Sequence, residues 1–189
     1  MEKRLLEFLE HKENFEMKLK LDEEVTRLLY TFQKELDLCL DSGKYQPKFL
    51  RSKLPGKVSK GNNHYGFPYQ VLDYPAYISK EASFSFRASI WYGNYFSFSL
   101  ILTGRYVESI NIELQKLKDQ SFFITSDDNI WETDFSKHKS ASVDDLNILD
   151  FQTLIKHNNQ LKIYRYFSLN QTSELIRLGM ESFKSLLIR

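Results

Sequence analysis

His64 and Asp73 place an imidazole and a carboxylate close together in the chain, the two groups that general acid–base chemistry uses. A small hydrolase or transferase built on that pair requires the fold to bring them within a hydrogen bond or one water. A second chemistry lies just upstream. Lys60-Gly61-Asn62-Asn63-His64-Tyr65-Gly66 brackets amides and an imidazole with two glycines, and such a loop can turn backbone N–H groups toward an anion. Neither GxxxxGK[ST] nor GxGxxG occurs, so this is not a nucleotide phosphate loop. A third chemistry is electrostatic. Lys44, Lys48, Arg51, Lys53, Lys57 and Lys60 fall between residues 44 and 60 with no acid among them. Tyr45, Phe49, His64 and Tyr65 lie among or beside them. Lysines attract phosphates and aromatic rings stack on bases, so the basic 44–60 connector is a candidate nucleic-acid surface.

Other reactive side chains read as structural. The four histidines (11, 64, 138 and 157) show no ligand spacing, so no metal site is expected. Cys39 lies on the apolar stripe of a helix, where a buried thiol is the ordinary outcome. No GxSxG is present. Trp131-Glu132-Thr133-Asp134 puts two carboxylates in a polar loop, a common arrangement without catalytic meaning of its own.

The elements that must position these groups follow from periodicity. Residues 2–20 read as a helix. Residues 22–42 read as a stronger one, with Val25, Leu28, Leu29, Phe32, Leu36 and Leu40 at three- and four-residue spacing and Asp22 as its cap. Residues 44–68, rich in Gly and Pro, read as a connector. Residues 69–74 read as a strand ended by Pro75, and 83–91 and 95–103 as the two best strands. A helix is expected over 105–118, a short strand over 121–125 and a polar loop over 126–142. A helix opened by Ser142 follows over 143–157, then a strand over 161–167 and a helix over 171–187 capped by Asn170.

The central hairpin carries a register prediction. A two-residue turn at Gly93-Asn94 scatters the apolar residues over both faces. A three-residue loop, Tyr92-Gly93-Asn94, pairs Ile90 with Phe96, Ala88 with Phe98, Phe86 with Leu100 and Phe84 with Leu102. All of them then share one face, and register follows the buried face. Asn94 is expected in the left-handed conformation that ends such a loop. The opposite face is then Ser83, Ser85, Arg87, Ser89 and Trp91 beside Tyr95, Ser97, Ser99 and Ile101. A serine floor with one guanidinium and an aromatic lip from Trp91 and Tyr95 can hold an anionic small molecule or a partner's carboxylate.

Composition bounds the class. The 189 residues are 42% hydrophobic and 27% charged, ordinary for one globular domain, with 15% aromatics. A chain of this length buries roughly 70% of its unfolded surface and needs no covalent staple. The single cysteine excludes a disulfide framework and points to the reducing cytoplasm. No apolar run is long enough to cross a membrane. The net charge of +1 hides an asymmetry: residues 1–41 carry −4, residues 42–105 carry +7 and residues 106–189 carry −2. A balance this close to neutral argues against nucleic acid as the main partner.

Lys57-Val58-Ser59-Lys60-Gly61-Asn62, Pro68-Tyr69, Leu72-Asp73-Tyr74-Pro75 and Trp91-Tyr92-Gly93-Asn94 together resemble an uncharacterised family of small Bacteroidetes-type bacterial proteins. The likeness spans about residues 57–96 and implies a bacterial, cytoplasmic origin. It brings no activity, ligand or fold to carry over.

The sequence therefore predicts one α+β domain over residues 1–189, an antiparallel sheet around the 83–103 hairpin with N- and C-terminal helices flanking it. The expected function is a non-catalytic, cytoplasmic ligand- or protein-binding module. It uses Arg87, Trp91 and Tyr95 of the hairpin together with Lys57, Lys60, Asn62, Asn63, His64 and Tyr65. Its expected partner is an anionic small molecule or a protein, with a homodimer compatible and no cofactor, metal or membrane. Nucleic-acid binding through 44–60 and a His64/Asp73 enzyme are the alternatives.

Overall fold

In the computed structural model, residues 1–41, 56–110 and 112–187 are described. Along the chain come α1 (Lys3–Glu10), α2 (Lys12–Asp41), β1 (Lys57–His64), β2 (Phe67–Ile78), β3 (Ser83–Trp91) and β4 (Tyr95–Thr103). A short α3 (Leu114–Leu117) follows, then β5 (Phe123–Thr125), β6 (Ala141–Ser142), α4 (Ile148–His157), β7 (Gln160–Ser168) and α5 (Leu175–Leu187). The strands form one sheet in the order β1-β2-β3-β4-β7-β5-β6, each neighbouring pair antiparallel. This is an α+β fold with the hairpin at its centre.

The alternation of apolar residues in β3 and β4 sets the register. Ile90 faces Phe96, Ala88 faces Phe98, Phe86 faces Leu100 and Phe84 faces Leu102, as the three-residue loop requires. The left-handed residue of that loop is Gly93, at φ +75°, and not Asn94. Glycine takes that conformation without a Cβ clash. Asn94 instead donates from Nδ2 to the Tyr92 carbonyl at 3.0 Å and from its own N–H to the Trp91 carbonyl at 3.1 Å.

The phenylalanine face is the core. From α2, Val25, Leu29, Phe32 and Leu36 are buried on it, and from α5, Leu178, Phe183 and Leu186. Phe32 meets Phe98 edge-on at 5.6 Å and Phe183 meets Phe86 at 5.1 Å. A polar cluster fixes α2 across the end of the sheet. Tyr92 donates its hydroxyl to Asp22 at 3.0 Å, Lys18 reaches the other Asp22 oxygen at 2.6 Å, and Gln70 bridges Thr26 and Tyr92. Burial pushes the Asp22 carboxyl up, but the bonds from Lys18 and Tyr92 outweigh it and hold the group below its usual range.

Several expected boundaries move, each for a local reason. The first long helix breaks at His11, and α2 runs unbroken through Asp22, whose side chain is held by Tyr92 and Lys18 rather than by amides of its own first turn. The expected connector contains a strand. β1 is exposed along much of its length on the sheet edge, so it carries no apolar alternation for a pattern to detect. β2 continues through Pro75 to Ile78 with a register shift between Tyr74 and Tyr77, and a proline is tolerated where the ladder is interrupted. Among the described residues of the expected 105–118 helix only Leu114–Leu117 is α-helical, although Val107, Ile110, Leu114 and Leu117 are all buried. The cap of α4 is Asn147, which accepts from the Asp150 N–H at 2.9 Å, while Ser142 caps a separate 3-10 turn. α5 starts at Leu175, after a 3-10 segment over Leu169–Glu174.

Among the described residues no helix is long and apolar enough to cross a membrane.

Candidate functional site

Because side chains alternate along a strand, the register also fixes the second face of the sheet. One row across it is Tyr164, Ser99, Arg87, Asp73 and Lys57, and the next is Tyr166, Ser97, Ser89, Val71 and Ser59. Lys162 and Ile101 stand one row before Tyr164 and Ser99. Trp91, Tyr95 and Tyr69 stand one row beyond Ser89 and Ser97. Ser85, Ser89, Ser97, Ser99, Asp73 and Lys162 are all buried, so this face is not open to solvent.

Its cover is the polar segment 126–140. β5 and β6 pair with each other, so this segment leaves and re-enters the sheet at one edge and folds back as a strap. Aromatic stacking holds it down. Phe135 lies 4.0 Å from the Tyr164 ring and 5.3 Å from the Tyr95 ring, both nearly parallel. The Tyr95 hydroxyl donates to the Thr133 carbonyl at 2.6 Å and accepts from the Phe135 N–H at 3.0 Å. Burial, with the Asp134 and Glu132 charges adding to it, pushes the Tyr95 hydroxyl far up despite the Phe135 bond. Trp131 covers the Arg87 guanidinium at 4.7 Å.

Glu132 is the hub of the strap. Its carboxylate accepts from the Tyr65 hydroxyl at 2.7 Å and from the Thr133 and Asp134 N–H groups at 2.8 Å each. His64 Nε2 lies 3.2 Å from Glu132 Oε1, close enough for an ion pair but out of line for a hydrogen bond. Burial pushes the Glu132 carboxyl up, but the Asp134 N–H and Tyr65 bonds prevail and the group sits below its usual range. A carboxyl lowered in this way stabilises the fold above its unfolded pKa, and that contribution is lost as pH falls through the folded value. Glu132→Ala is expected to lower stability by about 1–3 kcal/mol, because several donors lose a buried acceptor. Hydrogen exchange should localise the effect, with faster exchange across 126–140 and little change in β3 and β4. Uniform protection across the strap in the variant would show that Glu132 does not hold it.

Lys162 is the unusual group under the strap. It is 2% exposed, and its Nζ donates to the Glu132 carbonyl at 2.5 Å, with His138 Nε2 at 3.5 Å. The Phe135 and Tyr164 rings flank the ammonium at 4.9 and 5.6 Å. Among the described residues no carboxylate lies within ion-pair distance of it. Burial, with the nearby Arg87 charge second, pushes the Lys162 ammonium down to about 7. A depression of about 420 Å³ beside His138 is lined by Asp127, Asp128, Asn129, Glu132, Lys137 and Lys139. The same His138 stands between that depression and Lys162, with Nδ1 3.3 Å from Asp127 Oδ2.

The residues expected from sequence divide into two groups. Trp91, Tyr95, His64 and Tyr65 gather into one aromatic cluster at the end of the sheet. Trp91 Nε1 donates to the His64 carbonyl at 3.2 Å, and the Trp91 ring meets His64 at 5.1 Å and Tyr95 at 5.4 Å. Trp91 is buried rather than forming an exposed lip. The other group is dispersed. Lys57 faces Asp73 in the register and Lys60 faces Gln70, so the two lysines project from opposite sides of the sheet. Lys60 lines a groove of about 540 Å³ along α2 with Asp22 and Glu23. Asn62 is exposed, and Asn63 Oδ1 accepts from the Gly66 N–H at 3.0 Å. Lys44, Tyr45, Lys48, Phe49, Arg51 and Lys53 lie outside the described residues.

Three expectations are corrected. The 60–66 segment is strand and tight turn rather than an open loop. Lys60 and Gly61 pair with Gln70 and Tyr69, and the turn is only Tyr65-Gly66, at φ +50° and +86°. The His64/Asp73 pair does not form. Asp73 faces Lys57 at one end of β1 while His64 faces Phe67 at the other, roughly 20 Å along the strands. His64 meets Glu132 instead. Arg87 is not a free guanidinium. It binds Asp73 through Nε to Oδ1 and Nη2 to Oδ2, both at 2.8 Å, and Ser85 donates to the same carboxylate at 2.7 Å.

Glu132, His138, Lys162 and the strap that unites them were not selected by sequence reasoning. The one available signal was in β7, where Lys162 alternates into line with Tyr164 and Tyr166, an aromatic face that a solvent-facing strand has no need of.

No family model matches the chain, and no curated protein or solved structure does either.

Proposed function

We propose that the protein is a non-catalytic binding module for an anionic group, carried by a small molecule or a protein partner and taken on the serine face beneath the strap. The observation that carries this reading is Lys162. A lysine is almost never buried without a partner, because desolvating an ammonium costs more than a carbonyl bond returns. An anion seated beside it supplies the missing charge. The Arg87 guanidinium is already neutralised by Asp73, so Lys162, not Arg87, provides the net attraction. Ser99 faces Arg87 in the register and offers a hydroxyl next to the Lys162 row. The Ser89 hydroxyl, one pleat further along β3, is buried with no hydrogen-bond partner, and such orphans mark places where a water or ligand completes a structure. The depression beside His138 is the entrance this reading uses, its lining mixing Lys137 and Lys139 with Asp127, Asp128 and Glu132.

Inorganic phosphate is the probe. Thermal unfolding of the wild-type chain is followed in phosphate and in chloride at matched ionic strength. The midpoint is expected to climb with phosphate concentration, as ligand linkage requires, and more strongly below pH 7 where Lys162 is protonated. Lys162→Met serves as the control for the general salting effect of phosphate. An equal response in both proteins, or a response confined to alkaline pH, would remove the proposal.

A further inference from the structure

We infer that Lys162 is a nucleophilic amine that captures a small carbonyl compound, an aldehyde or 2-oxo acid, as an imine, with His138 as its base and Asp127 orienting His138. The same side chain serves the anion reading, but here in its uncharged form, so the inference stands whether or not that reading does.

Hydrogen-bond capacity separates the two forms of Lys162. An ammonium carries three N–H donors, whereas a neutral amine carries two and keeps one lone pair. Among the described residues two acceptors meet Nζ, the Glu132 carbonyl at 2.5 Å and His138 Nε2 at 3.5 Å. The Phe135 and Tyr164 rings that flank it offer only their faces. Two acceptors suit a neutral amine and leave its lone pair unoccupied. Burial and the Arg87 charge, which push the ammonium down to about 7, act in the same direction. The other charges that face Lys162 are Glu132 on the strap and Arg87 on β3, and Arg87 is itself paired with Asp73.

His138 is arranged as a proton acceptor. Asp127 Oδ2, 3.3 Å from Nδ1, takes the hydrogen bond of a proton on that nitrogen, which leaves the ring's lone pair on Nε2, the atom that faces Lys162. Asp127 is held as a carboxylate. Burial pushes its carboxyl up, but the bonds from the Lys139 N–H, at 2.6 Å, and from His138 prevail and keep it below its usual range. Nucleophile, base and orienting carboxylate in series are the arrangement by which covalent catalysts activate a weak nucleophile. A lysine stripped of its charge by burial is the form that makes imines. His138 and Glu132, the two residues that touch Nζ, both line the 420 Å³ depression, so the amine lies directly behind its wall.

In the reaction the Nζ lone pair adds to the carbonyl carbon, and the C=O π electrons move to oxygen. His138 Nε2 takes one proton from the nitrogen and returns it to that oxygen, giving a carbinolamine. The remaining N–H proton follows the same route to the hydroxyl, which leaves as water, and the C=N bond of the imine closes. The sequence is reversible and needs no other reactant.

The full chain is incubated at about pH 7.5 with glyoxylate or with acetaldehyde, and cyanoborohydride delivers hydride to the imine carbon to fix it as a secondary amine. Peptide mass spectrometry then locates the adducts. Lys162 is expected to react about 10-fold faster than the exposed Lys137 and Lys139, of which only about 0.1% is neutral at that pH. Its rate should have a midpoint near the Lys162 value of about 7, and theirs near the ordinary lysine value. His138→Phe should slow Lys162 about 10-fold and leave Lys137 and Lys139 unchanged. Asp127→Asn should slow it in part, since an amide no longer commits the imidazole proton to Nδ1. A Lys162 that reacts no faster than Lys137 and Lys139, or one indifferent to both substitutions, would overturn the inference. The two aldehydes separate it from the anion reading. A preference for Lys162 that is no greater with glyoxylate leaves the imine standing and counts against the anionic ligand, whereas a greater one supports both.

Discussion

Asp73→Ala is expected to cost about 3–5 kcal/mol of folding free energy. The carboxylate lies under the strap, binds Arg87 through both oxygens, and accepts from Ser85. Removing it leaves a guanidinium in a largely dehydrated site with Trp131 above and Ser99 opposite, neither able to neutralise it. It also strands the buried Ser85 hydroxyl. Urea denaturation at neutral pH measures the cost directly. Replacing both partners, as in Asp73→Leu with Arg87→Met, should recover most of the loss, because an apolar pair demands no charge compensation. The comparison separates two ideas about Arg87. If it served mainly as an anion receptor, Asp73→Ala would cost less than 1 kcal/mol and create a stronger anion site.

The second large effect concerns Lys162 and has the opposite sign. Its ammonium is pushed down to about 7 in the fold by burial, helped by Arg87, against an ordinary value of 10.5. The unfolded chain therefore holds this proton between pH 7 and pH 10.5 and the folded chain does not. Stability from this group accordingly rises with pH across that window and reaches its lowest level below pH 7. Above about pH 10 the half-buried Tyr95 opposes the trend, since it keeps its proton in the fold while an unfolded tyrosine loses it. Lys162→Met should remove the rise between pH 7 and pH 10. In the absence of phosphate it should raise stability below pH 7 by about 1–3 kcal/mol, even with the Glu132 carbonyl bond lost. A denaturation series from pH 6 to pH 10 tests this. Parallel pH profiles for wild type and variant would mean that the lysine is not the titrating group. A gain in stability from removing a polar side chain is what a site kept for binding rather than for folding should show.

These two groups illustrate how differently the chain can be read from its sequence. Arg87 was legible because β3 alternates cleanly. Once Phe84, Phe86, Ala88 and Ile90 share a face, Arg87 must stand on the other, and only the odd loop keeps Phe96, Phe98, Leu100 and Leu102 with them. Its partner was not legible. Asp73 sits on a neighbouring strand, and pairing between strands follows from the tertiary register of β2 against β3. The expected acid–base role of Asp73 failed for the same reason. Closeness in sequence to His64 says little when the strand between them is extended and carries the two side chains to opposite ends.

By itself the sequence determined the local matters. Helical spacing in 22–42 specified the face of α2 that enters the core, and strand alternation in 83–103 specified the hairpin, its loop length and its two faces. Those features depend on the period of the backbone, which neighbouring residues can express. The strap, the burial of Lys162, the hub at Glu132 and the edge strand β1 were decided only by the tertiary structure. A polar loop has no period, and an edge strand with water along it needs no apolar alternation. Whether a lysine is exposed or buried depends on what folds over it. Here Phe135 folds over Lys162 and Trp131 over Arg87, both from a segment that reads as solvent-facing, and so the serine face became an enclosed layer rather than an open floor.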